Sequence, residues 1–278
     1  MASKGTKRIL LIADLHCGHR VGLTPPGWQY KEEGWSEKWR QIQAECWKWW
    51  VSTITRLRPF YAALVLGDLI DGASPRSGGT EAITTDRQTQ VDMAIKALSY
   101  VHAPNWNFVR GTPYHAGDAE DWEDRVAGYF EAQANTDVVK IGDHDSPEIA
   151  DTGLVFDIKH EPKSKPREEW TKANGLGKED LENMVWAEAA YRPRADIILR
   201  AHMHRYIRVE GCRPATGRPW TSALLPALQA MGTKYGARRC SVLVDYGLAW
   251  VDVEPDGRWQ WNALVAHIKS QAASTTLL

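Results

Sequence analysis

The chain has 278 residues, 34 Lys and Arg against 35 Asp and Glu, and a formal net charge of −1. Charges this closely balanced exclude a global basic field for nucleic acid and leave room only for a local groove. No apolar stretch reaches the ~20 residues of a membrane span. The length suits one domain with a substantial core; the expectation is a single domain over 1–268 and a flexible tail over 269–278. The N-terminal residues, Met1 to Arg8, are polar and lack the apolar centre of a signal peptide. Cys17, Cys46, Cys212 and Cys240 are far apart with no CxxC pairing, which suits reduced thiols and a cytoplasmic protein.

The first half alternates strand and helix. A strand is predicted at Lys7–Ala13, then a long helix near Ser36–Leu57 with Ser36 as N-cap and Pro59 beyond its end. A strand at Ala62–Leu66 follows, then a helix near Thr85–Val101 with Val91, Ala94, Ile95 and Leu98 at helical spacing. A strand at Asn107–Arg110 and a helix near Gly117–Ala132 complete a pattern of parallel strands with helical crossovers. The second half is strand-rich: Val138–Ile141, Leu154–Lys159, Ile197–Leu199, Tyr206–Glu210 and Pro219–Leu228 all read as extended, with a helix at Lys178–Tyr191. Ser241–Asp252 and Arg258–Val265 read as a hairpin around the turn Pro255-Asp256-Gly257. Two such halves predict an α/β fold of two stacked sheets with helices outside. Cys17–Trp35 and Gly72–Thr85 are Gly-rich loops that should overhang whatever lies at the strand ends.

Five apolar runs each end on an ionisable group. They deliver Asp14-Leu15-His16, Gly67-Asp68-Leu69-Ile70-Asp71, the segment from Gly111 to His115, His160, and His202-Met203-His204. Strand ends in open α/β sheets are where such sites are built. Oxygen and imidazole donors gathered this way suggest one metal centre made from distant segments. Side chains two apart in an extended segment point the same way, so Asp14 and His16 are expected to face one ion. The donor mixture suits Mn, Fe, Zn or Co better than Ca. Asp71 reads as a hydrogen-bonding support rather than a ligand.

That series resembles the calcineurin-like metallophosphoesterase superfamily, whose pattern runs D-x-H, G-D-x-x-D, G-N-H-D/E, a lone His, and G-H-x-H. The order matches over roughly Lys7 to Val253, with Ala201 in place of the last Gly. The resemblance implies a four-layer αββα sandwich of two mixed sheets. It also implies two divalent metal ions, with Mn favoured, and phosphate-ester hydrolysis by a hydroxide activated at the dinuclear centre. By the same resemblance Asp68 bridges the ions, Asp14, His16 and His204 complete the coordination of the first ion, and His160 and His202 bind the second ion. The third block departs from the pattern, reading Arg110-Gly111-Thr112-Pro113-Tyr114-His115. Thr112 stands where the family has a ligating Asn, and its hydroxyl is a poorer ligand. His115 comes two residues late and is the candidate general acid; with Ala116 where an acidic partner normally sits, Asp118 is the candidate to orient it. Arg110 is read either as a substrate-phosphate contact or as a strand cap, and His19 as a substrate contact or a structural side chain.

Trp28 and Trp35 could stack on a base or pack the first loop down. Lys163-Ser164-Lys165-Pro166-Arg167 is the best local basic patch. The functional expectation is a phosphoesterase leaning towards phosphodiesters, with nucleic acid or a nucleotide as the possible partner and no membrane. A phosphomonoesterase and a non-catalytic scaffold of the same fold are the alternatives. The oligomeric state is open.

Overall fold

The structure, a computed structural model, describes residues 5–31, 34–73, 78–117, 121–163, 171–231 and 243–271. In chain order its elements are β1 (Lys7–Ile12), α1 (Glu37–Leu57), β2 (Ala62–Leu66), α2 (Arg87–Leu98), β3 (Asn105–Val109), α3 (Pro113–Ala116), α4 (Trp122–Glu131) and β4 (Val138–Gly142). The second half contributes β5 (His144–Asp145), β6 (Glu148–Ile149), β7 (Leu154–Lys159), α5 (Lys172–Glu188), β8 (Ile197–Arg200), β9 (Ile207–Cys212), β10 (Pro219–Leu224), β11 (Tyr246–Val253) and β12 (Trp259–Ala266).

These form two sheets. The first runs β12-β11-β1-β2-β3-β4, with β1 to β4 parallel, β11 antiparallel to β1 and β12 antiparallel to β11. The second runs β5-β7-β8-β10-β9, with β6 added on β7. Strand β1 shows why the layers stack. Its alternate residues Leu10 and Ile12 join a core shared with α1, α2 and α4, whereas Ile9 and Leu11 join a second core with Phe156, Ile158, Ile197 and Leu199 of the facing sheet. Strands buried on both faces need continuous apolar sequence, and β1 and β2 have it. Helix α5 lies outside the second sheet against β9 and β10. The order helices, sheet, sheet, helix is the αββα sandwich expected from the resemblance. Among the described residues no helix is long and apolar enough to cross a membrane.

Several local expectations change. Ser36 takes the N-cap position of α1 without a side-chain cap hydrogen bond: it ends a 3-10 turn over Gly34–Ser36, and its hydroxyl donates to the Lys31 carbonyl. Asp86 is the working cap, accepting from Thr89 N at 2.7 Å at the start of α2. The helix expected at Lys178–Tyr191 begins earlier and ends at Glu188. Residues 269–271, expected in the tail, form a 3-10 turn whose backbone N–H groups at Lys269 and Ser270 donate to Glu45 of α1. The rest of that tail lies outside the described residues.

Candidate metal centre

Parallel strands of the two sheets deliver their candidate ligands to one place. Asp14 and His16 follow β1, Asp68 follows β2, Thr112 follows β3, His160 follows β7, and His202 and His204 follow β8. Three groups with ligand atoms within 4.8 Å of one another result among the described residues: the triads Asp14–His16–His204 and Asp68–His160–His202, and His16–Asp71–His115, which shares His16 with the first. Asp68 Oδ2 lies 3.0 Å from His160 Nε2 and 3.9 Å from His16 Nε2, so one carboxylate faces both triads. Asp14 Oδ1 lies 3.3 Å from His204 Nε2 and 3.8 Å from His16 Nε2.

The backbone that presents these groups is unusual. Eight non-glycine residues among those described have positive φ, and five of them are Asp14, His16, Asp68, His202 and His204. Left-handed backbone costs an ordinary residue on the order of 1–3 kcal/mol, and it persists where surrounding structure enforces it, as at functional sites. This corrects the expected geometry of the D-x-H segment. Asp14 and His16 do not share a face of an extended strand; the chain turns through left-handed space at both, because Asp14 N and His16 N are tied to the carbonyls of Gly67 and Asp68.

The donor atoms fit cations. His160 Nδ1 is 2.5 Å from the Leu66 carbonyl, which can only accept, so that nitrogen carries the hydrogen and Nε2 presents a lone pair. That lone pair faces the Asp68 carboxylate, and His160 Nε2 and Asp14 Oδ1 are buried without a hydrogen-bond partner. His16 Nε2 and His204 Nε2 sit 3.1 Å apart. Lone pairs opposed in this way need a proton or a metal ion between them. Without an ion, protons answer: burial would depress the His16 pKa, but Asp14 and Asp71 in contact and the charge of Asp68 push it up to about 10. Burial likewise opposes protonation of His160, and Asp68 and Asp14 push its pKa up to about 10. Burial would raise both carboxyls, yet the imidazoles of His204, His16 and His160 hold Asp14, and those of His160, His115 and His16 hold Asp68, below the usual carboxylate range.

The third block is built differently from its expected ligand role. Thr112 N donates to Asp68 Oδ1 at 2.7 Å and the Thr112 hydroxyl donates to the same oxygen at 3.1 Å. Both polar groups of Thr112 serve to orient Asp68. Gly67 and Gly111 let the two loops touch: a Cβ on Gly111 would collide with the Asp68 carboxylate, and one on Gly67 with Gly111. His115 sits in the short helix α3, with Nδ1 2.8 Å from the Asp71 carbonyl and its ring edge-on to His16 at 4.6 Å. Burial first, and then the charge of His16, lowers its pKa. Asp71 Oδ1 lies 3.3 Å from His16 Nδ1 and 3.6 Å from His115 Nδ1, so Asp71 is the carboxylate that accompanies both rings. Asp118, the expected orienting residue, lies outside the described residues.

Arg110 does not face the centre as an open cation. Asp124 grips its guanidinium through two 2.8 Å hydrogen bonds and Asp143 adds a third at 3.1 Å, and these contacts hold its pKa up. Of its two readings the structural one has the contacts. His19 is buried, accepts from Val21 N at 3.3 Å and lies 3.9 Å from Glu81. It belongs to the stitching of the two overhanging loops, which also bond through Arg20 N to the Glu81 carbonyl and Ile83 N to the Gly18 carbonyl. Trp28 packs on the first core, while the Trp35 side chain lies outside what is described. Lys163 pairs with Glu182 at 2.7 Å, and the rest of the basic segment lies outside the described residues.

Two supporting glutamates escape a sequence reading. Glu123 of α4, buried, accepts from Leu69 N at 2.6 Å and Gly111 N at 2.7 Å, holding the Asp68 and Thr112 loops together. Burial and the Asp68 charge push its pKa up to about 7, against those two bonds. Glu179 of α5 accepts from Lys163 N at 2.7 Å and from the Arg200 guanidinium at 3.0 Å, two groups close in sequence to His160 and His202. Neither glutamate follows a motif; a Glu within a helix carries no signal that it is buried.

No protein-family model matches the sequence, and no curated protein matches it. Among solved structures the chain is similar to Vps29 from Chaetomium thermophilum, at 14% identity and a TM-score of 0.41, over 93% of this chain and 97% of that one. It is also similar to a 5'-nucleotidase precursor from Thermus thermophilus, at 12% identity and a TM-score of 0.42, over 95% of this chain and 55% of that one. A metallophosphoesterase from Sphaerobacter thermophilus is similar at 12% identity and a TM-score of 0.36, over 94% of this chain and 88% of that one.

Proposed function

We propose that this chain is a metal-dependent phosphoesterase of the calcineurin-like type. Asp14, His16 and His204 would hold one divalent ion, His160 and His202 a second, and Asp68 would reach both. The observation that carries this reading is the pair of His/Asp triads sharing the Asp68 carboxylate. Two divalent ions there would supply charge neutralisation at phosphoryl oxygens and a water of lowered pKa; Mn, Fe, Zn or Co would suit this mixed carboxylate and imidazole set.

The protein's own groups have distinct tasks in this scheme. Thr112 fixes the Asp68 carboxylate through two hydrogen bonds to one oxygen. The Leu66 carbonyl fixes the tautomer of His160. The Asp71 carbonyl holds the hydrogen on His115 Nδ1, which leaves Nε2 as the ring nitrogen that exchanges a proton with the departing oxygen, acting as general acid when the ring is an imidazolium. Charge accounting favours a phosphodiester over a phosphomonoester. A monoester dianion calls for further cationic groups, and among the described residues Arg110 is matched by Asp124 and Asp143, and Arg205, next to His204, by Asp245 at 3.1 Å. A monoanionic diester suits two ions with no added arginine. Nucleotide and nucleic-acid diesters are the substrate class we assign.

The test compares a phosphodiester and a phosphomonoester with the same leaving group, in Mn²⁺, with Asp68→Asn as control. Diester turnover abolished in the control is the expected result. Monoester preference would overturn the diester assignment. No turnover across several metals, with no metal retained on purification, would leave a scaffold as the better description.

A further inference from the structure

Helix α5 buries polar groups and exposes apolar ones. The side it gives the second sheet carries Glu179 and Asn183, both buried and polar, with Leu176 beside them. Asn183 Nδ2 donates to Asp157 at 2.9 Å, its Oδ1 accepts from Ala195 N at 3.0 Å, and Glu179 grips Arg200. The side it gives the solvent carries Leu181, 56% exposed, Met184 and Val185, the last 59% exposed. Surface helices normally place their apolar stripe inward and their charges outward. Here the inward face is fixed by hydrogen bonds and cannot rotate to hide the outer one. Ten large hydrophobic residues are exposed among those described, and five lie between Leu181 and Tyr191, so the exposure is a patch rather than a scatter.

The outer stripe reads the same backwards. Lys178, Leu181, Val185 and Glu188 are spaced three, four and three residues apart, on one face of the helix. An antiparallel second copy of α5 therefore sets Leu181 against Val185 in both directions. It also sets Lys178 against Glu188 at both ends, opposite charges closing an apolar seam. Met184 sits mid-seam as a flexible filler, and Gly177 has open space where a side chain would stand, which admits a close approach. Self-complementarity about a twofold axis is what an isologous interface requires.

We propose that the outer face of α5 is a homodimer interface, with two copies of the helix packed antiparallel about a twofold axis at the level of Asn183. The seam from Lys178 to Glu188 spans about 15 Å at 1.5 Å per residue. It is short for an obligate interface, which places the dimer in the concentration-dependent range. It lies on the outer helical layer and does not depend on the metal centre's role.

Sedimentation velocity of the full chain from about 1 to about 300 µM tests this, since that range brackets micromolar association. The wild type should pass from monomer to dimer. Leu181→Glu should remain monomeric. Lys178→Glu and Glu188→Lys should each weaken the dimer by ~10-fold or more, because like charges then meet at both ends of the seam. The double variant Lys178→Glu, Glu188→Lys should restore it. These side chains are exposed, so circular dichroism should be unchanged. A wild type that stays monomeric, a dimer that survives Leu181→Glu, or a double variant no better than the singles would each overturn the assignment.

Discussion

Glu123 shows how much of this site rests on residues that touch no candidate ion. Each of its carboxylate oxygens takes one backbone N–H, from Leu69 and from Gly111, in the two loops that carry Asp68 and Thr112. A glutamine has one acceptor oxygen, so Glu123→Gln turns an NH2 group towards one of those N–H donors. Outer supports of this kind are typically worth ~10–100-fold in metal affinity. The expected result is weaker Mn²⁺ binding by about that factor in calorimetry with a native circular dichroism spectrum; unchanged affinity would remove Glu123 from the site. His115 makes a sharper kinetic prediction. As general acid it should matter in proportion to how badly the leaving group needs a proton, so His115→Ala should slow alkyl esters by ~10²–10⁴-fold and nitrophenyl esters far less. An equal loss for both would mean that His115 positions rather than protonates.

Helices set these supports, and they are where sequence and structure part company. The strand ends are legible because a buried parallel strand advertises itself as an apolar run, and an Asp or His at its end has no packing reason to be there. The left-handed turns at Asp14, His16, His202 and His204 are not, since Asp and His, though enriched at positive φ, adopt it in only a small share of their positions. Gly175 and Gly177 hide the first turns of α5, because glycine argues against a helix and tertiary contacts override it. Nothing in the sequence marks Glu179 and Asn183 as the inner face of that helix. That buried polar face has an energetic consequence. Arg200 is buried between Glu179 at 2.9 Å and Asp157 at 2.7 Å, and removing one partner of a buried pair typically costs about 3–5 kcal/mol. Glu179→Ala should therefore lower stability by about that amount in urea denaturation, and adding Arg200→Met should recover much of it. The half-buried surface pair Glu37–Arg40, at the start of α1, should show no comparable loss when broken. A loss of the same size at both sites would mean that the network beneath α5 is ordinary surface electrostatics.

At the scale of the whole molecule the candidate metal centre is a store of buried charge that joins the two sheets, so its protonation should govern stability. In the metal-free protein His16 and His160 have pKa values raised from 6.5 to about 10 by Asp14, Asp68 and Asp71. The folded state then holds protons that the unfolded state gives up above pH 6.5. The stability they contribute is fully present below about pH 6.5 and is lost as pH rises through about 10. The carboxylates have the opposite sign. Asp14, Asp68 and Asp71 are held below their ordinary value of 3.8, so their contribution is present above it and is lost in acid. Chelator-treated protein should therefore be most stable between about pH 4 and 6.5 and should melt at progressively lower temperature from pH 6.5 to 10. Divalent ions need the same imidazoles without their protons, so binding must expel them and should strengthen as pH rises. The rise in melting temperature on adding Mn²⁺ should accordingly grow across the interval in which the metal-free protein weakens, with protons released in buffers of differing ionisation enthalpy. A metal-free stability that stays flat from pH 6.5 to 10, or metal binding that releases no protons, would show that His16 and His160 are not held between carboxylates as the structure has them.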